Sequence, residues 1–352
     1  MSLYLAPAAA AVATAAALPR LLAPPPIDIR RLERGMVLPA PPAPPPPPLV
    51  SANNRFLGAK HKAVVVMGAT GTGKSRLAVD LALRFGGEVI NSDKIQVYAG
   101  LDVATNKVTA EECAGVPHHL IGVARPDDEF TAADFRREAC RAATAITARG
   151  GLPIIAGGSN SYIEELVDGD RRAFRERYDC CFLWVDVQLP VLHDYVGRRV
   201  DDMCARGLVG EVAAAFDPRR TDYSRGIWRA IGVPELDAYL RASSRSGEVD
   251  EEERARMLAA AVEDIKSNTR RLSCRQRAKI QRLAKLWRVR RVDATEAFLW
   301  RGGAANEAWQ RLVAGPCIDA VRSFLHNDGV AADDLPPDVP VFAPAATAAV
   351  AV

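Results

Sequence analysis

Residues 68–75 read Gly68-Ala69-Thr70-Gly71-Thr72-Gly73-Lys74-Ser75, which fits the pattern G-x-x-x-x-G-K-[ST]. The apolar run 63–67 precedes this stretch and is typical of a strand buried on both faces. After it, Leu77, Leu81 and Phe85 recur at helical spacing. A strand, a glycine-rich turn and a helix in this order predict a phosphate-binding loop.

All eight residues of this loop are candidate diphosphate-binding residues. The glycines let successive main-chain N–H groups curl around a diphosphate, and the following helix presents its positive end. Lys74 supplies a point charge, and the Ser75 hydroxyl is placed to ligate Mg²⁺, the cofactor that this pattern indicates. The loop does not say which polyphosphate is bound, because ATPases, kinases and other transferases share it.

The rest of the chain alternates between strand and helix patterns. Further buried strands are predicted at 88–91, 152–156 and 182–187. This alternation predicts an α/β fold, with a P-loop NTPase-like parallel sheet flanked by helices. A polar helical stretch at about 190–250 predicts a helical insertion, and a long helix is predicted from about 251 to 287.

Composition is that of an ordinary globular enzyme. The chain has 352 residues, of which 49% are hydrophobic and 25% charged, and its formal net charge of +3 is too small to indicate a partner. Seven cysteines without a Cys-x-x-Cys pair indicate free thiols in a reducing compartment. Their spacing does not support a zinc site.

The two ends of the chain differ in composition from the segment 61–330, which is the predicted catalytic domain. Residues 1–60 are rich in Ala and Pro, and acidic residues are absent from 1–27, so a disordered transit segment and linker are predicted. A plastid (chloroplast) location is favoured, with the cytoplasm or the mitochondrion as alternatives. No membrane span is expected, because Ala contributes little to insertion. The tail 331–352 is predicted to be disordered.

Asp93 is the candidate catalytic carboxylate. It follows the predicted strand 88–91 directly, in the stretch Asn91-Ser92-Asp93-Lys94-Ile95-Gln96-Val97-Tyr98. Ligands of doubly wound sheets bind at the carboxyl ends of the strands, so Asp93 is expected to face the phosphate loop. The alternative is an aspartate that only caps a turn.

Several ordered blocks resemble the plant adenylate isopentenyltransferases, which are related to the bacterial tRNA dimethylallyltransferases. The resemblance runs from about Lys62 to about Leu325, and its blocks include GATGTGKS, INSDKIQVYAGLDVATNK, GVPHHLIG, GGSNSYIEELV, IWRAIGVPELD and IKSNTRRLSCRQRAKIQRL. It implies a prenyltransferase that moves a dimethylallyl group from dimethylallyl diphosphate to N6 of the adenine of ATP or ADP, with AMP also open. That reaction is the first step of cytokinin biosynthesis.

The resemblance also implies roles for single residues. The loop, with Lys74, would hold the donor diphosphate, and Asp93 matches the general base of the family. Ser159, followed by Asn160, matches a position that contacts the acceptor or the leaving group. Arg229 matches a cationic contact to phosphate. Both substrates are small molecules, and the sequence does not indicate an oligomeric state.

Other functions are open at this stage. A tRNA-modifying enzyme would share the chemistry, and residues 266–291, which are basic and contain no acidic residue, could form a nucleic-acid surface. Alternatively, a few of these cations reach the nucleotide phosphates and most form a solvated basic face. Two features make a nucleic acid unlikely as a partner: the Asp-Lys-Ile-Gln-Val-Tyr form of the Asp93 block, and a C-terminal region with too few Cys and His for a zinc finger. A small-molecule kinase would use Asp186 at the end of a strand as a metal-binding aspartate. A nucleotide-binding module without activity is the fourth alternative.

Overall fold

The computed structural model describes residues 60–244 and 250–326. The predicted transit segment and linker, apart from Lys60, and the predicted tail 331–352 lie outside these residues. No helix in the two described ranges is both long enough and apolar enough to cross a membrane.

A six-stranded sheet forms the centre of the described chain, and all its neighbouring strands pair in parallel. Its order is β3-β2-β4-β1-β5-β6. The strands are β1 His61–Gly68, β2 Gly87–Asn91, β3 His118–His119, β4 Leu152–Gly157, β5 Tyr178–Asp186 and β6 Val289–Asp293. The predicted parallel α/β fold is therefore confirmed.

Helices cover both faces of the sheet and extend beyond its carboxyl edge. In chain order they are α1 Lys74–Phe85, α2 Ala110–Cys113, α3 Ala132–Ala148, α4 Asn160–Asp168, α5 Ala173–Arg177, α6 Leu189–Ala205, α7 Leu208–Ala214, α8 Asp237–Ser244, α9 Glu251–Leu283, α10 Thr295–Leu299, α11 Gly302–Trp309 and α12 Gly315–His326. The predicted helical insertion corresponds to α6, α7 and α8.

Strand β1 shows why the sheet has helices on both faces. Its alternate side chains enter two separate cores: Val64 and Val66 pack with Leu77 of α1, whereas Val65 and Met67 pack on the opposite face. All these side chains are fully buried. Each such burial contributes about 1.5–3 kcal/mol to the free energy of folding. The central strand is therefore fixed from both sides, and with it the start of the phosphate loop.

A third core lies away from the sheet and builds the opposite wall of the site. Leu208 and Leu240 of the helical insertion pack there with Ile265 of α9 and with Tyr98, which follows the Asp93 turn. Because this core joins the insertion to the segment after β2, the insertion faces the carboxyl ends of the strands.

Candidate active site

A cleft of about 1230 Å³ opens at the carboxyl ends of β1, β2 and β4. The turns after these three neighbouring strands form its floor, α6 and α9 form one side, and residues from 297 to 309 form another. The position agrees with the rule that ligands of open parallel sheets bind beyond the carboxyl ends of the strands.

The phosphate loop lies between β1 and α1, as predicted. Five of its residues line the cleft: Thr70, Gly71, Gly73, Lys74 and Ser75. The other three, Gly68, Ala69 and Thr72, are buried beneath, where the Thr72 hydroxyl donates to the Ala69 carbonyl at 3.0 Å. Thus part of the predicted binding set contacts the cleft and part shapes the loop.

The first turn of α1 is left open for an anion. Its N-cap is Gly73, which offers no side-chain cap, and the first turn holds no acidic residue. The first N–H groups of a helix have no partner within the helix, so they attract an anion. The Ser75 side chain is exposed beside them in the cleft.

Lys74 is a buried cation at the bottom of the cleft. Its Nζ donates to the Ala69 carbonyl at 2.7 Å, and the residue is 8% exposed. Burial lowers the pKa of Lys74 to about 8; the Asp93 carboxylate opposes this shift and Arg199 adds to it. A diphosphate bound in the loop would favour the charged ammonium and raise this pKa.

Gly73 has two reasons to be glycine. Its φ of +87° lies in the left-handed region, and an added Cβ would lie 2.5 Å from the indole ring of Trp309. That indole donates its Nε1 hydrogen to Asp80 at 2.9 Å, so Trp309 cannot simply move aside.

Replacing Gly73 with alanine should raise the KM for the polyphosphate ligand and lower kcat/KM at least about tenfold, because an error of about 1 Å can cost about 100-fold. Steady-state kinetics of the variant would measure this. Gly210→Ala is the matched control, since nothing lies within 4 Å of an added Cβ there. Equal kinetics for both variants would contradict the role of the close contact with Trp309.

Asp93 faces the phosphate loop across the cleft. Its Oδ1 accepts from the N–H of Ile95 at 2.9 Å, and its own N–H donates to Asn91 Oδ1 at 3.1 Å. These bonds fix the carboxylate in the turn after β2. Asp93 also lines the cleft and is close enough to Lys74 to influence that residue's pKa.

Ser159 and Asn160 follow β4 directly and bond to neighbouring segments of the chain. The Ser159 hydroxyl accepts from the N–H of Lys94 at 2.8 Å, and Asn160, only 3% exposed, donates from Nδ2 to the Gln276 carbonyl at 3.3 Å. Neither residue lines the cleft. The Ser159 hydroxyl thus supports the turn that carries Asp93, and Asn160 holds the segment after β4 to α9. A contact of either residue with a substrate stays a prediction.

Arg229 reaches the cleft from the short 3-10 helix Gly226–Arg229. Its Nη2 donates to the hydroxyl of the fully buried Tyr98 at 3.3 Å. Its Nε is buried and has no hydrogen-bond partner among the described residues. A guanidinium supported from below and open to the cleft suits a phosphate group.

Arg199 of α6 and Arg275 of α9 also line the cleft. Arg199 was not predicted from the sequence, and Arg275 was predicted only as one member of the basic stretch 266–291. The Nη2 of Arg199 donates to Thr70 Oγ1 at 2.8 Å, and burial lowers the pKa of this guanidinium. Nine basic and four acidic side chains line the cleft altogether, so it favours a polyanion. No motif marks these arginines, because only the packing of α6 and α9 decides which of their many arginines turn inward.

The surroundings of Asp186 are not those of a metal ligand. Asp186 is 2% exposed; Arg277 donates to both its carboxylate oxygens, at 2.9 and 3.0 Å, and Arg291 binds Oδ2 at 2.7 and 2.9 Å. It does not line the cleft. The aspartate that a kinase would need is thus used in a structural ion pair. In residues 60–244 and 250–326, no cluster of three or more His, Cys, Asp or Glu could hold a metal.

Carboxylates pair with part of the basic stretch 266–291. Lys279 and Arg282 pair with Glu164, Lys266 pairs with Asp201 and Glu263, and Arg277 pairs with Asp186. Cations held by carboxylates contribute less to a nucleic-acid surface than free ones.

The family model described as IPP transferase matches residues 96–177 and 170–282 of this chain. The chain is 59% identical over 273 residues to adenylate isopentenyltransferase 5, chloroplastic, of Arabidopsis thaliana, which covers 77% of this chain and 82% of the relative. It is 53% identical over 285 residues to adenylate isopentenyltransferase 7, mitochondrial, of the same plant, with 80% and 85% covered. The adenylate isopentenyltransferase of Humulus lupulus is 44% identical over 294 residues, with 74% and 89% covered.

Solved structures share the fold. A eukaryotic dimethylallyltransferase acting on tRNA superposes with a TM-score of 0.63 at 22% identity, covering 77% of this chain and 81% of that one. A tRNA isopentenylpyrophosphate transferase from Bacillus halodurans gives a TM-score of 0.58 at 27% identity, covering 76% and 100%. These neighbours are described as tRNA-modifying enzymes, so they do not bear out the expectation against a nucleic-acid partner. The extent and identity of the sequence matches decide the assignment: the chain belongs to the IPP transferase family and, within it, to the adenylate isopentenyltransferases, which are prenyltransferase enzymes.

Proposed function

We propose that this enzyme transfers the dimethylallyl group of dimethylallyl diphosphate to N6 of the adenine of ATP or ADP and releases diphosphate, the first step of cytokinin biosynthesis. One observation carries the proposal: a carboxylate, Asp93, and a buried ammonium, Lys74, meet in one cationic cleft at the ends of neighbouring strands. A base and a stabiliser of the leaving group are the two aids that this alkylation needs.

The phosphate loop is suited to hold the donor. The open N-terminus of α1 and the Lys74 ammonium provide N–H donors and positive charge for the diphosphate. Arg199, bonded to Thr70 of the same loop, adds a third source of charge. As the allylic C–O bond breaks, its electron pair goes to the diphosphate, and these groups stabilise the charge that develops there.

Asp93 is suited to act as the base. The N6 amine is a weak nucleophile, because its lone pair is delocalised into the adenine ring. As the new C–N bond forms the amine becomes acidic, and the Asp93 carboxylate accepts one proton from it. Proton, electron pair and leaving group balance in this single displacement, and no covalent enzyme intermediate is needed.

Mg²⁺ fits this site as a companion of the diphosphate. The Ser75 hydroxyl is exposed in the cleft, and Mg²⁺ usually combines one or two protein ligands with substrate phosphates and waters. When bound, Mg²⁺ would neutralise part of the diphosphate charge. The chain's own contribution is the Ser75 oxygen next to the open helix end.

The acceptor phosphates have cations of their own in the cleft. Arg229, Arg275 and Arg206 line it, and they belong to the insertion and to α9 rather than to the phosphate loop. This separation suits two polyphosphates bound at once. It favours ATP and ADP as acceptors over AMP, which carries fewer charges for these arginines to bind.

A tRNA acceptor is the second candidate, because the solved neighbours are enzymes described as acting on tRNA. The ion pairs of the basic stretch 266–291 favour a free nucleotide over this alternative.

Mass spectrometry of reactions with dimethylallyl diphosphate and Mg²⁺ tests the proposal. ATP, ADP, AMP and bulk tRNA are supplied separately, and prenylated ATP or ADP is the expected product. Product in tRNA alone would contradict the nucleotide assignment and support the second candidate. The absence of any prenylated product would contradict the proposed chemistry.

We also propose a plastid location, since relatives such as the Arabidopsis enzyme at 59% identity are named chloroplastic, although another is named mitochondrial. A fluorescent fusion of residues 1–60 tests this location. A diffuse cytosolic signal would contradict it.

The pH dependence of kcat/KM should reflect the deprotonation of Lys74. Because its pKa in the free enzyme is lowered to about 8, the charged form that binds diphosphate is lost as the pH rises through that value. We therefore expect kcat/KM for dimethylallyl diphosphate to fall above about pH 8. At saturating donor, kcat/KM for ADP should keep its value to higher pH, because bound diphosphate raises the pKa of Lys74. A donor profile that stays flat to pH 9.5 would contradict this assignment.

A further inference from the structure

Gln276 of α9 uses both ends of its side-chain amide to join two strand ends. Its Oε1 accepts from the N–H of Thr70, in the phosphate loop, at 2.7 Å. Its Nε2 donates to the carbonyl of Gly158 at 2.9 Å. Thr70 follows β1 and Gly158 follows β4, and these strands are neighbours in the sheet. One side chain from a helix therefore bridges two turns of the cleft floor.

The fit around this amide is close. A Cβ added to Gly158 would lie 2.4 Å from Gln276 Nε2, so glycine is needed for the approach. The main-chain carbonyl of Gln276 accepts from Asn160 as well, at 3.3 Å. Side chain and main chain thus hold α9 to the same segment after β4.

This segment leads directly to Asp93. The Ser159 hydroxyl accepts from Lys94 N–H at 2.8 Å, and Ser159 N–H donates to the Ser92 carbonyl at 3.2 Å. Asp93 lies between these two bonded residues. Hydrogen bonds therefore run without a break from the phosphate loop through Gln276 and the 158–159 turn to the turn that carries the carboxylate.

We propose that Gln276 is a positioning residue, which fixes the phosphate loop relative to the turn carrying Asp93. It also occupies the Thr70 N–H, so the later N–H groups of the loop are the ones that receive the diphosphate. The proposal rests on the proposed function of the loop as the donor site. A displacement in which one group binds the leaving diphosphate and another accepts the proton requires both to be placed within a fraction of an ångström.

Gln276→Leu tests the proposal, because leucine has a similar size and no amide. Gln281→Leu is the matched control: Gln281 lies on the same helix, exposed and outside the cleft. We expect Gln276→Leu to raise the KM for dimethylallyl diphosphate and the Ki of inorganic diphosphate about tenfold, because an unpaired Thr70 N–H distorts the loop. We expect kcat to fall by about 100-fold. The KM for ADP should change by less than about twofold.

The inhibition constant separates positioning from stability. A variant that only unfolds more readily has fewer active molecules, so its kcat falls while the KM and Ki of the remaining molecules stay unchanged. Unchanged KM and Ki in Gln276→Leu would therefore overturn the proposal. Gly158→Ala is the second variant, because it displaces the same amide from the other side; it should raise the diphosphate Ki as well.

The experiment also distinguishes failure of the proposed function from failure of the positioning role of Gln276. If the wild-type enzyme makes no prenylated nucleotide, the proposed function is wrong. Calorimetry with inorganic diphosphate still tests the role of Gln276, because it compares the diphosphate affinity of the wild type with that of the variants. If the wild type is active and both Gln276→Leu and Gly158→Ala bind diphosphate normally, the positioning role of Gln276 is wrong and the proposed function stands.

Discussion

Asp93→Asn should lower kcat by about 10²–10⁴-fold, the range that a general base contributes. The turn should survive, because the asparagine Oδ1 can still accept from the N–H of Ile95, the bond that now measures 2.9 Å. Binding of both substrates should therefore change little, and the loss should appear in turnover. Single-turnover formation of prenylated ADP at pH 7, with both substrates saturating, measures the chemical step directly.

Asp179→Asn is the control for this experiment. Asp179 lies near the amino end of β5, pairs with Lys62 at 3.2 Å and does not line the cleft. Its replacement should leave the rate unchanged. A near-normal kcat in Asp93→Asn would show that the amine loses its proton to another group.

Lys74→Met should lower kcat by about 10²–10³-fold, which is the usual cost of removing one preorganised donor from a developing negative charge. Methionine fills the buried space without an ammonium. The KM for dimethylallyl diphosphate should rise as well, because the charge binds the diphosphate before the reaction and during it. Steady-state kinetics with varied donor measures both effects.

Lys285→Met serves as the matched control, since Lys285 is exposed and lies outside the cleft. The acceptor provides a second test within the Lys74 variant. If the loop binds the donor, the KM for ADP should stay nearly constant. A larger rise in the KM for ADP than for the donor would mean that the loop binds the nucleotide instead.

Local sequence determined the fold class and the start of the site. The apolar run before Gly68 indicates a strand that helices bury on both faces, and the loop that follows needs its glycines. Strand, loop and helix could therefore be predicted together from the sequence. Asp93 was readable for a related reason: it directly follows a buried strand, and parallel strands end at one edge of the sheet.

Tertiary structure decided what no local pattern encodes. Arg199 and Arg275 are two among many arginines on polar helices, and only the packing of the insertion against α9 turns them into the cleft. The roles of residues next to a motif were likewise not decided by the sequence. Ser159 follows a strand end as Asp93 does, and only the folded structure shows that its hydroxyl accepts from Lys94 N–H and supports the turn.

Gln276 illustrates the same limit most clearly. It is more than 100 residues from both of its partners in the chain, and nothing in its neighbourhood distinguishes it from Gln281, five residues later on the same helix. A chain's local pattern records which residues must be buried and which turns need glycine, because those demands act between near neighbours. The pairing of polar side chains across a cleft depends on where distant elements meet, and only the folded structure decides that.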